Sequence, residues 1–326
     1  MRASPQQPDD SQAAPASAAQ APAQAATAEE TGVGKWSERY RQQPAEATSD
    51  GDAALFLLPL MTLTKAKVPT ESVPLQIFEP RYRLMFKLVN QSACRRFGVV
   101  LADKSSGLME SVGALCELTH FVTVPEQRRL FINARVVGRF ETQQVVSDKP
   151  FVTVLARAYR DEPPQDLAAQ LQLGALEMRV WQAMQEVRQL ASKLFANSEK
   201  LGNEIFSLEV RRWSPDAEAR AGVAVAAGAD PTLMHMVQMA GLLGEEATMA
   251  ERTTEYLCSD ALRQVDDAER RERFSFALAR GLDFGPQRLQ ELLNSRDTGE
   301  RLRAAEELVL EGRSYLAARS TLRDMF

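Results

Sequence analysis

The stretch PLQIFEPRYR, residues 74–83, decides the fold because an apolar run breaks there at Glu-Pro and resumes as a charged, aromatic segment. Proline is best tolerated in the first turn of a helix, where its missing N–H would have no partner, so Pro80 predicts a helix start. Glu79 places a carboxylate beside the positive end of that helix dipole. We therefore interpret the stretch as a structural junction between a strand and a helix, rather than as a catalytic element. Its structural residues are Pro74, Ile77, Phe78, Glu79, Pro80, Arg81, Tyr82 and Arg83.

The segment that follows the proline has one apolar face, with side chains at positions i, i+3, i+4 and i+7 of an amphipathic helix. These side chains are Tyr82, Met85, Phe86 and Val89. Phe78, just before the helix, is expected to belong to the structural core. A fully buried phenylalanine ring there would stabilise the fold by about 3–5 kcal/mol.

Six short apolar segments separated by turn signals predict β-strands on both sides of this helix. They are residues 55–63, 73–78, 96–102, 112–124, 130–146 and 151–162. The first contains Pro59 and is predicted to be an edge strand, because proline cannot donate to a ladder. Gly138 in the fifth predicts a bend or bulge. Together the segments indicate a small mixed barrel or curled sheet.

From Pro163 onward the apolar period changes from two to about 3.6, which predicts helices. Residues 205–215 are interpreted as an irregular link, and residues 230–244 as a helix. Two final helices are predicted to be separated near Ser295–Asp297. The fold class is thus α+β, with a small β-barrel followed by a C-terminal α-helical bundle. The first long helix has an apolar stripe consisting of Leu173, Leu176, Val180, Met184, Val187 and Leu194.

The domain boundaries follow from composition. Residues 1–53 are rich in Ala, Pro, Gln, Ser and Thr and have few large apolar side chains. Such a segment cannot bury enough surface to offset its ordering entropy, so we predict that it is disordered. Residues 54–163 are assigned to the barrel and residues 164–326 to the bundle. The tail is Ala- and Ser-rich like an organelle transit peptide, but it contains acids, which transit peptides avoid.

Residue types that carry chemistry are sparse in this sequence. It has no Gly-x-x-x-x-Gly-Lys-Ser/Thr motif for nucleotide phosphates and no Gly-x-Ser-x-Gly nucleophile motif. His120 and His235 have no metal-ligand partner at a suitable spacing. The three cysteines lie far apart and are interpreted as buried apolar residues. We therefore predict no catalytic residue, no metal site and no cofactor.

The charge balance bears on possible partners. The formal net charge is -5, so the chain has no global basic field that would attract nucleic acid or acidic lipid. The doublets Arg95-Arg96 and Arg128-Arg129 are interpreted as solvated surface. No apolar run approaches the roughly 18 residues that a membrane helix needs. The sequence does not indicate an oligomeric state.

Six blocks of the chain carry a family resemblance: LPLMTL (58–63), VPLQIFEPRYRLMF (73–86), RRFGVVL (95–101), SVGALCEL (111–118), RRLFINARVVGRFE (128–141) and KPFVTV (149–154). In this order they resemble the N-terminal domain of Lon proteases. Residues 274–309 resemble the helical end of the same domain. The resemblance implies a small β-barrel of PUA-like type followed by a helical bundle, in agreement with the pattern of strands and helices.

The chain departs from that family in two ways. Where the family often has Phe-Pro-Gly before the second strand, this chain has Val68-Pro69-Thr70, so the turn must form without glycine. The ATPase module and the Ser-Lys protease module of Lon have no counterpart in these 326 residues. The chain therefore looks like a stand-alone form of the domain. Similar stand-alone proteins occur in bacteria and in plastids, so the expected location is the chloroplast, with the cytoplasm as the alternative.

The resemblance implies a non-enzymatic module that binds proteins, either substrates in protein quality control or partners of a protease adaptor. RNA binding is the alternative, because PUA-like barrels occur in RNA-modifying enzymes; the net charge of -5 argues against it. A barrel joined to a bundle leaves a crevice, and clefts between packed units are favoured binding places. We expect Tyr159, Leu173 and Trp181 near that junction as protein-binding residues, with core packing as the competing interpretation.

Overall fold

The strands form one sheet that closes into a barrel. The computed structural model describes residues 55–102, 108–124, 129–195, 206–220, 265–282 and 284–325. The sheet order is β2-β5-β4-β3-β1-β6, and an additional pairing of β5 with β6 closes it. The strands are β1 Phe56–Leu63, β2 Ser72–Ile77, β3 Arg96–Leu101, β4 Val112–Val124, β5 Arg129–Ser147 and β6 Thr153–Tyr159.

Closure depends on the length of β5, which has 19 residues. Its first part pairs with β2 and its last part pairs with β6, while β4 pairs with it from Arg129 to Glu141. The register with β4 shifts at Gly138, so that Val137 has no residue opposite it. A bulge of this kind bends a strand and increases its twist. The bulge predicted at Gly138 is thus confirmed, and it lies where the barrel curves.

The prediction that β1 is an edge strand is wrong, because β1 lies between β3 and β6. Pro59 is tolerated there because the two neighbours pair with different parts of β1. Residues 56–59 pair with β6, and residues 60–63 pair with β3. Pro59 therefore falls in the part of the strand that has a neighbour on one side.

The helices are α1 Pro80–Gln91, α2 Leu167–Leu194, α3 Leu208–Trp213, α4 Asp267–Gly281, α5 Pro286–Asn294 and α6 Thr298–Met325. Pro80 is the first residue of α1, as predicted. Glu79 occupies the N-cap position, but its side chain pairs with Arg81 at 2.8 Å instead of capping the helix. The predicted apolar face of α1 is buried in the barrel core, where Phe86 packs edge-on against Phe97 with ring centroids 4.9 Å apart.

The expectation that Phe78 belongs to the core is wrong, since its side chain is 69% exposed. Successive side chains of an extended chain point to opposite sides. Ile77, the last residue of β2, is buried, so Phe78 points outward. The other residues of the PLQIFEPRYR stretch keep their structural interpretation, with Tyr82 buried against the barrel.

The turn before β2 forms without glycine, as its sequence required. Glu71 donates its amide proton to the carbonyl of Val68 at 3.2 Å, which closes a turn with Pro69 and Thr70 in the middle. Thr70 has φ 74°, in the left-handed region that glycine normally occupies. A β-branched residue in that region is strained.

The bundle begins with α2, whose N-cap Asp166 accepts a hydrogen bond from the amide of Ala169 at 2.7 Å. The predicted stripe of α2 packs in the bundle core, together with side chains of α4 and α6. The last two helices separate as predicted, and Asp297 Oδ1 accepts from the amide of Gly299 at 2.6 Å. The last barrel strand ends at Tyr159, and α2 starts at Leu167.

Interpreting residues 205–215 as an irregular link was wrong, because they contain α3. Ser207 Oγ caps this helix by accepting from the amide of Val210 at 3.3 Å. Phe206, Val210 and Trp213 enter the bundle core. Their i, i+4, i+7 spacing was a signal for this helix, but six residues are too few for a periodic pattern to stand out.

Some predictions lie outside the described residues. These are the disordered tail at 1–53, the helix at 230–244, His235 and Cys258. Among the residues that the structure does describe, no helix combines the length and the apolar character needed to cross a membrane.

Candidate functional site

The barrel and the bundle share a small apolar core. Val68 and Val112 of the barrel pack with Phe276 of α4 and Leu293 of α5. Tyr159 packs against this cluster, and its hydroxyl donates to the carbonyl of Asn294 at 2.7 Å. These contacts place the end of β6 beside the end of α5.

Arg139 of β5 is the main polar link across this junction. Its guanidinium donates to the carbonyls of Leu293 at 2.8 Å and Ser295 at 2.6 Å, which lie at the end of α5. It also pairs with Glu272 of α4 at 3.0 Å and with Asp161, the acid just after β6. Because the side chain of Arg139 is fully buried, these partners take the place of the water molecules that would otherwise solvate its charge.

A second buried arginine, Arg301 of α6, binds the same acid. It donates to Asp161 Oδ1 at 3.1 Å and to the hydroxyl of Ser275 at 2.9 Å. Thr298 also donates to Asp161. Burial by itself would raise the pKa of Asp161, but the charges and hydrogen bonds of Arg301 and Arg139 outweigh burial and hold it below its ordinary value. Asp161 is therefore ionised and joins the barrel to the last helix.

The pKa of Glu272 shifts in the opposite direction to that of Asp161. Burial raises its pKa above the ordinary value, and the nearby negative charge of Asp161 adds to the rise, although Arg139 and Arg301 act against it. Two carboxylates and two guanidinium groups are thus packed together at the junction. Such a group is tolerated only because each charge has an opposite charge beside it.

A third link joins β5 to α3. Arg135 donates to Glu209 at 3.1 Å, and the indole N–H of Trp213 donates to the same carboxylate at 2.9 Å. The guanidinium of Arg273, from α4, lies 4.6 Å from the centre of the Trp213 ring. The short helix that the sequence pattern missed therefore connects the barrel to the bundle.

A cleft of about 1890 Å³ lies between the barrel and the bundle beside these links. The barrel wall includes Leu55, residues 56–58 of β1, Arg96 of β3 and Gly138 of β5. The bundle wall consists of α2 residues with parts of α4 and α6. The α2 residues that line it are Ala169, Gln172, Leu173, Ala175, Leu176 and Arg179.

Both walls carry exposed apolar side chains. Leu55 is an exposed large side chain on the barrel wall. On α2, Leu171 and Met178 are exposed and lie four residues before and three residues after Ala175, which places them on neighbouring turns of one helix face. The cleft thus continues into an apolar stripe on the surface of α2.

Many of the charged residues that line the cleft form pairs of opposite charge. Each of five arginines in its lining contacts a carboxylate that also lines it. The pairs are Arg96–Glu117 at 3.5 Å, Arg179–Glu306 at 3.0 Å, Arg296–Glu162 at 3.0 Å, Arg303–Asp297 at 2.8 Å, and Arg273–Glu269. These five arginines therefore already have carboxylate partners within the cleft.

The three residues predicted to bind protein do not come together. Tyr159 and Leu173 both line the cleft. Trp181 does not line it and is 4% exposed, packed between Phe206 and Phe274 with ring centroids 5.7 and 6.2 Å away. Trp181 directly follows Val180 and lies about one helical turn before Met184, both of which belong to the stripe, so it faces the bundle core.

The residues that build the junction, Arg139, Asp161, Glu272 and Arg301, were not identified from the sequence. Asp161 lies 22 positions from Arg139 and 140 positions from Arg301, so no local pattern connects them. Two arginines in otherwise apolar positions of a strand and a helix were the available signal. A buried arginine requires a buried acid, but the sequence alone does not say which acid.

Chemistry other than binding finds little support among the described side chains. They contain no group of three metal-binding residues close enough to share an ion. Cys116 is buried, and burial raises the pKa of its thiol, which makes it a poor nucleophile. His120 is also buried, 3.1 Å from the hydroxyl of Thr119.

The chain is similar to the N-terminal domain of the Mycobacterium avium complex Lon protease, with 12% identity, TM-score 0.40, and coverage of 78% of this chain and 98% of that chain. It is also similar to a Lon N-terminal domain protein from Xanthomonas campestris, with 23% identity, TM-score 0.29, and coverage of 47% and 89%. The family model described as the ATP-dependent protease La (LON) substrate-binding domain matches residues 57–311, well over half of the chain. The resemblance found in the sequence is thereby confirmed, and the chain belongs to the Lon substrate-binding domain family.

Proposed function

We propose that this protein binds polypeptide segments in the cleft between barrel and bundle and performs no chemistry on them. The observation that carries the proposal is the cleft itself, which has apolar side chains on both walls and internally paired charges. Membership of a family named for substrate binding supports it. A cleft of about 1890 Å³ exceeds the roughly 300–1,000 Å³ of small-molecule pockets, so a stretch of chain suits it better.

The segments that fit this cleft are apolar and accessible, as in unfolded proteins. A folded protein buries such side chains, and an unfolded one exposes them. This selectivity would suit a factor in protein quality control or an adaptor that delivers substrates to a protease. The alanine- and proline-rich residues 1–53 make a chloroplast location our working proposal, with the cytoplasm as the alternative.

RNA binding is the second candidate, and the charges of the cleft argue against it. Affinity for RNA depends on cations that neutralise phosphates. Here Arg96, Arg179 and Arg303 already contact Glu117, Glu306 and Asp297. A phosphate would have to displace these carboxylates, so we expect weak binding of RNA.

The proposal is tested by titrating a fluorescent, reduced and carboxymethylated polypeptide with the full chain. Ala175 lines the cleft and is exposed, and Ala317 is exposed on α6 away from the residues that line it. We expect Ala175→Glu to weaken binding by about tenfold or more, because it places an unpaired charge among apolar groups, at a cost of about 1–3 kcal/mol. Ala317→Glu serves as the matched control, because it adds the same charge to an exposed helix position away from the cleft, and it should bind like the wild type.

Equal loss of affinity in both variants would mean that net charge, rather than the cleft, controls binding. No affinity of the wild type for the unfolded polypeptide would exclude the proposed function. A fluorescent single-stranded RNA of mixed sequence provides the competing arm. Tighter binding of that RNA than of the polypeptide at 150 mM salt would favour the RNA alternative.

We also expect the purified chain to hydrolyse neither ATP nor peptides, because the sequence has no P-loop and the described residues show no nucleophile–base pair. Phosphate release and cleavage of a fluorogenic casein are the measurements. Turnover that survives a second purification and disappears on substitution of one residue would contradict this expectation.

A further inference from the structure

The barrel wall of the cleft contains an open strand edge. Residues 56–59 of β1 pair with β6 on one side, and the pairing with β3 on the other side starts at Leu60. Among the described residues, no strand pairs with that other side of β1 before Leu60. This part of β1 lines the cleft.

One hydrogen bond of the ladder shows to which side of β1 each residue directs its backbone amide and carbonyl. Leu60 donates its amide proton to the carbonyl of Val152 at 2.8 Å, so the backbone amide and carbonyl of Leu60 point toward β6. The backbone groups of successive residues point to alternate sides of an antiparallel strand, so those of Leu58 and Phe56 also point toward β6. The amide and carbonyl of Leu57 therefore point to the open side.

Two features keep β3 from covering this edge. Arg95, just before β3, has φ 49°, and its amide binds the hydroxyl of Ser92 at 3.1 Å, so the chain turns into β3 at this point. Pro59, which faces β3, has no amide proton to extend the ladder toward Arg96. The gap beside Leu57 is thus built into the sequence of both strands.

We infer that a bound polypeptide segment pairs with Leu55–Leu57 as an added strand. The inference rests on the proposed function and names the form of its ligand: an extended, uncharged segment with apolar side chains. An open edge offers alternating donors and acceptors, which an extended backbone satisfies. Five of the arginines that line the cleft already contact carboxylates, so they offer little to a charged side chain, whereas Leu55 and Leu173 offer apolar contacts.

The experiment uses a fluorescent heptapeptide of alternating valine and glutamine, which is uncharged and whose side-chain pattern fixes its register. Two derivatives carry N-methyl groups, one on all valines and the other on all glutamines. In an extended chain these two sets of N–H groups point to opposite edges. Strand addition predicts that one derivative binds the full-length protein at least tenfold more weakly than the other.

A second measurement needs no change to the peptide. Amide exchange at Leu57 should slow by tenfold or more on saturation with the unmodified peptide. Amides of Phe56 and Leu58 serve as controls and should change by less than twofold, because they already bind β6.

The outcomes separate the inference from the proposed function. Equal affinities of the two methylated peptides, or unchanged exchange at Leu57 while the unmodified peptide binds, would overturn strand addition and leave cleft binding intact. No binding of either the unmodified peptide or the unfolded polypeptide would overturn both.

Discussion

Arg301 in the last helix donates a hydrogen bond of 3.1 Å to Asp161, the acid that follows the last strand of the barrel. The Arg301 side chain has no solvent exposure, and Arg139 of β5 reaches the same carboxylate. One acid thus holds two arginines from opposite parts of the molecule. Since the cleft lies between barrel and bundle, its shape depends on this contact.

We predict that Asp161→Ala lowers the free energy of unfolding by about 3–5 kcal/mol, because it leaves two guanidinium groups buried without their shared partner. Urea denaturation measures this change. Glu186→Ala is the control, since it removes an exposed pair with Arg313 and should cost about 0–1 kcal/mol. Similar small losses in both variants would show that the Asp161 cluster contributes little to stability.

The lowered pKa of Asp161 predicts a loss of stability in acid. Arg301 and Arg139 overcome the effect of burial and keep the carboxyl ionised in the folded state. A carboxyl whose pKa is lower in the folded than in the unfolded state contributes stability that is complete above the unfolded value and is lost as the pH falls. The difference in unfolding free energy between the wild type and Asp161→Asn should therefore shrink as the pH decreases below 3.8. A difference that is constant with pH would contradict this.

The contribution of Glu272 to the unfolding free energy should change with pH in the opposite direction to that of Asp161. Burial and the charge of Asp161 raise its pKa above 4.5, so its ionisation disfavours the folded state. As the pH falls through the folded pKa toward 4.5, the wild type should gain stability relative to Glu272→Gln. Paired urea denaturation of the two proteins between pH 7 and pH 4.5 measures this gain. A relative loss over the same range would show that Arg139 dominates the environment of Glu272.

Thr70→Gly should stabilise the protein by about 1 kcal/mol. Thr70 has φ 74°, and its hydroxyl is buried with no hydrogen-bond partner in the described structure. Such a conformation costs about 1–3 kcal/mol in a residue other than glycine. Thr123→Gly is the matched control, because Thr123 is exposed within β4 and glycine weakens a strand by about 0.5–1 kcal/mol. In thermal denaturation the melting temperature should rise for Thr70→Gly and fall for Thr123→Gly. A lower melting temperature in both variants would exclude strain at Thr70.

Phe78→Ala should change the unfolding free energy by less than about 0.5 kcal/mol, because the ring is exposed. Phe86→Ala should cost about 3–5 kcal/mol, since its ring is fully buried against Phe97. The two variants delete the same side chain eight residues apart, which makes them matched. A large loss of unfolding free energy in Phe78→Ala would mean that the Phe78 ring packs against the rest of the protein in solution.

Local signals in the sequence predicted most elements of the fold. Pro80 located the start of α1 because its chemistry restricts it to the first turn, and β4 was predicted with its observed ends, 112–124. Predictions from the sequence were wrong where the structure depends on how neighbouring elements pack together. Pro59 indicated an edge strand, but β1 has different neighbours along its two halves. The six residues of α3 were too few to show a period.

The candidate site was harder to predict than the fold. Proximity to the change from strands to helices was enough to place Tyr159 and Leu173 on the cleft. It could not tell which side of α2 faces the cleft, and Trp181 lies on the side that packs against Phe274. The open edge of β1 was also not visible, since it depends on where β3 begins beside it.

The sequence by itself determined the order of strands and helices, the buried face of α1 and the family, because periodicity, proline positions and motif order are local properties of the chain. Only the tertiary structure decided the partners of Arg139 and Arg301, the exposure of Phe78 and the position of the cleft. The physical reason is that a buried charge requires an opposite charge within contact distance, and residues 140 positions apart meet only when the barrel and the bundle pack together.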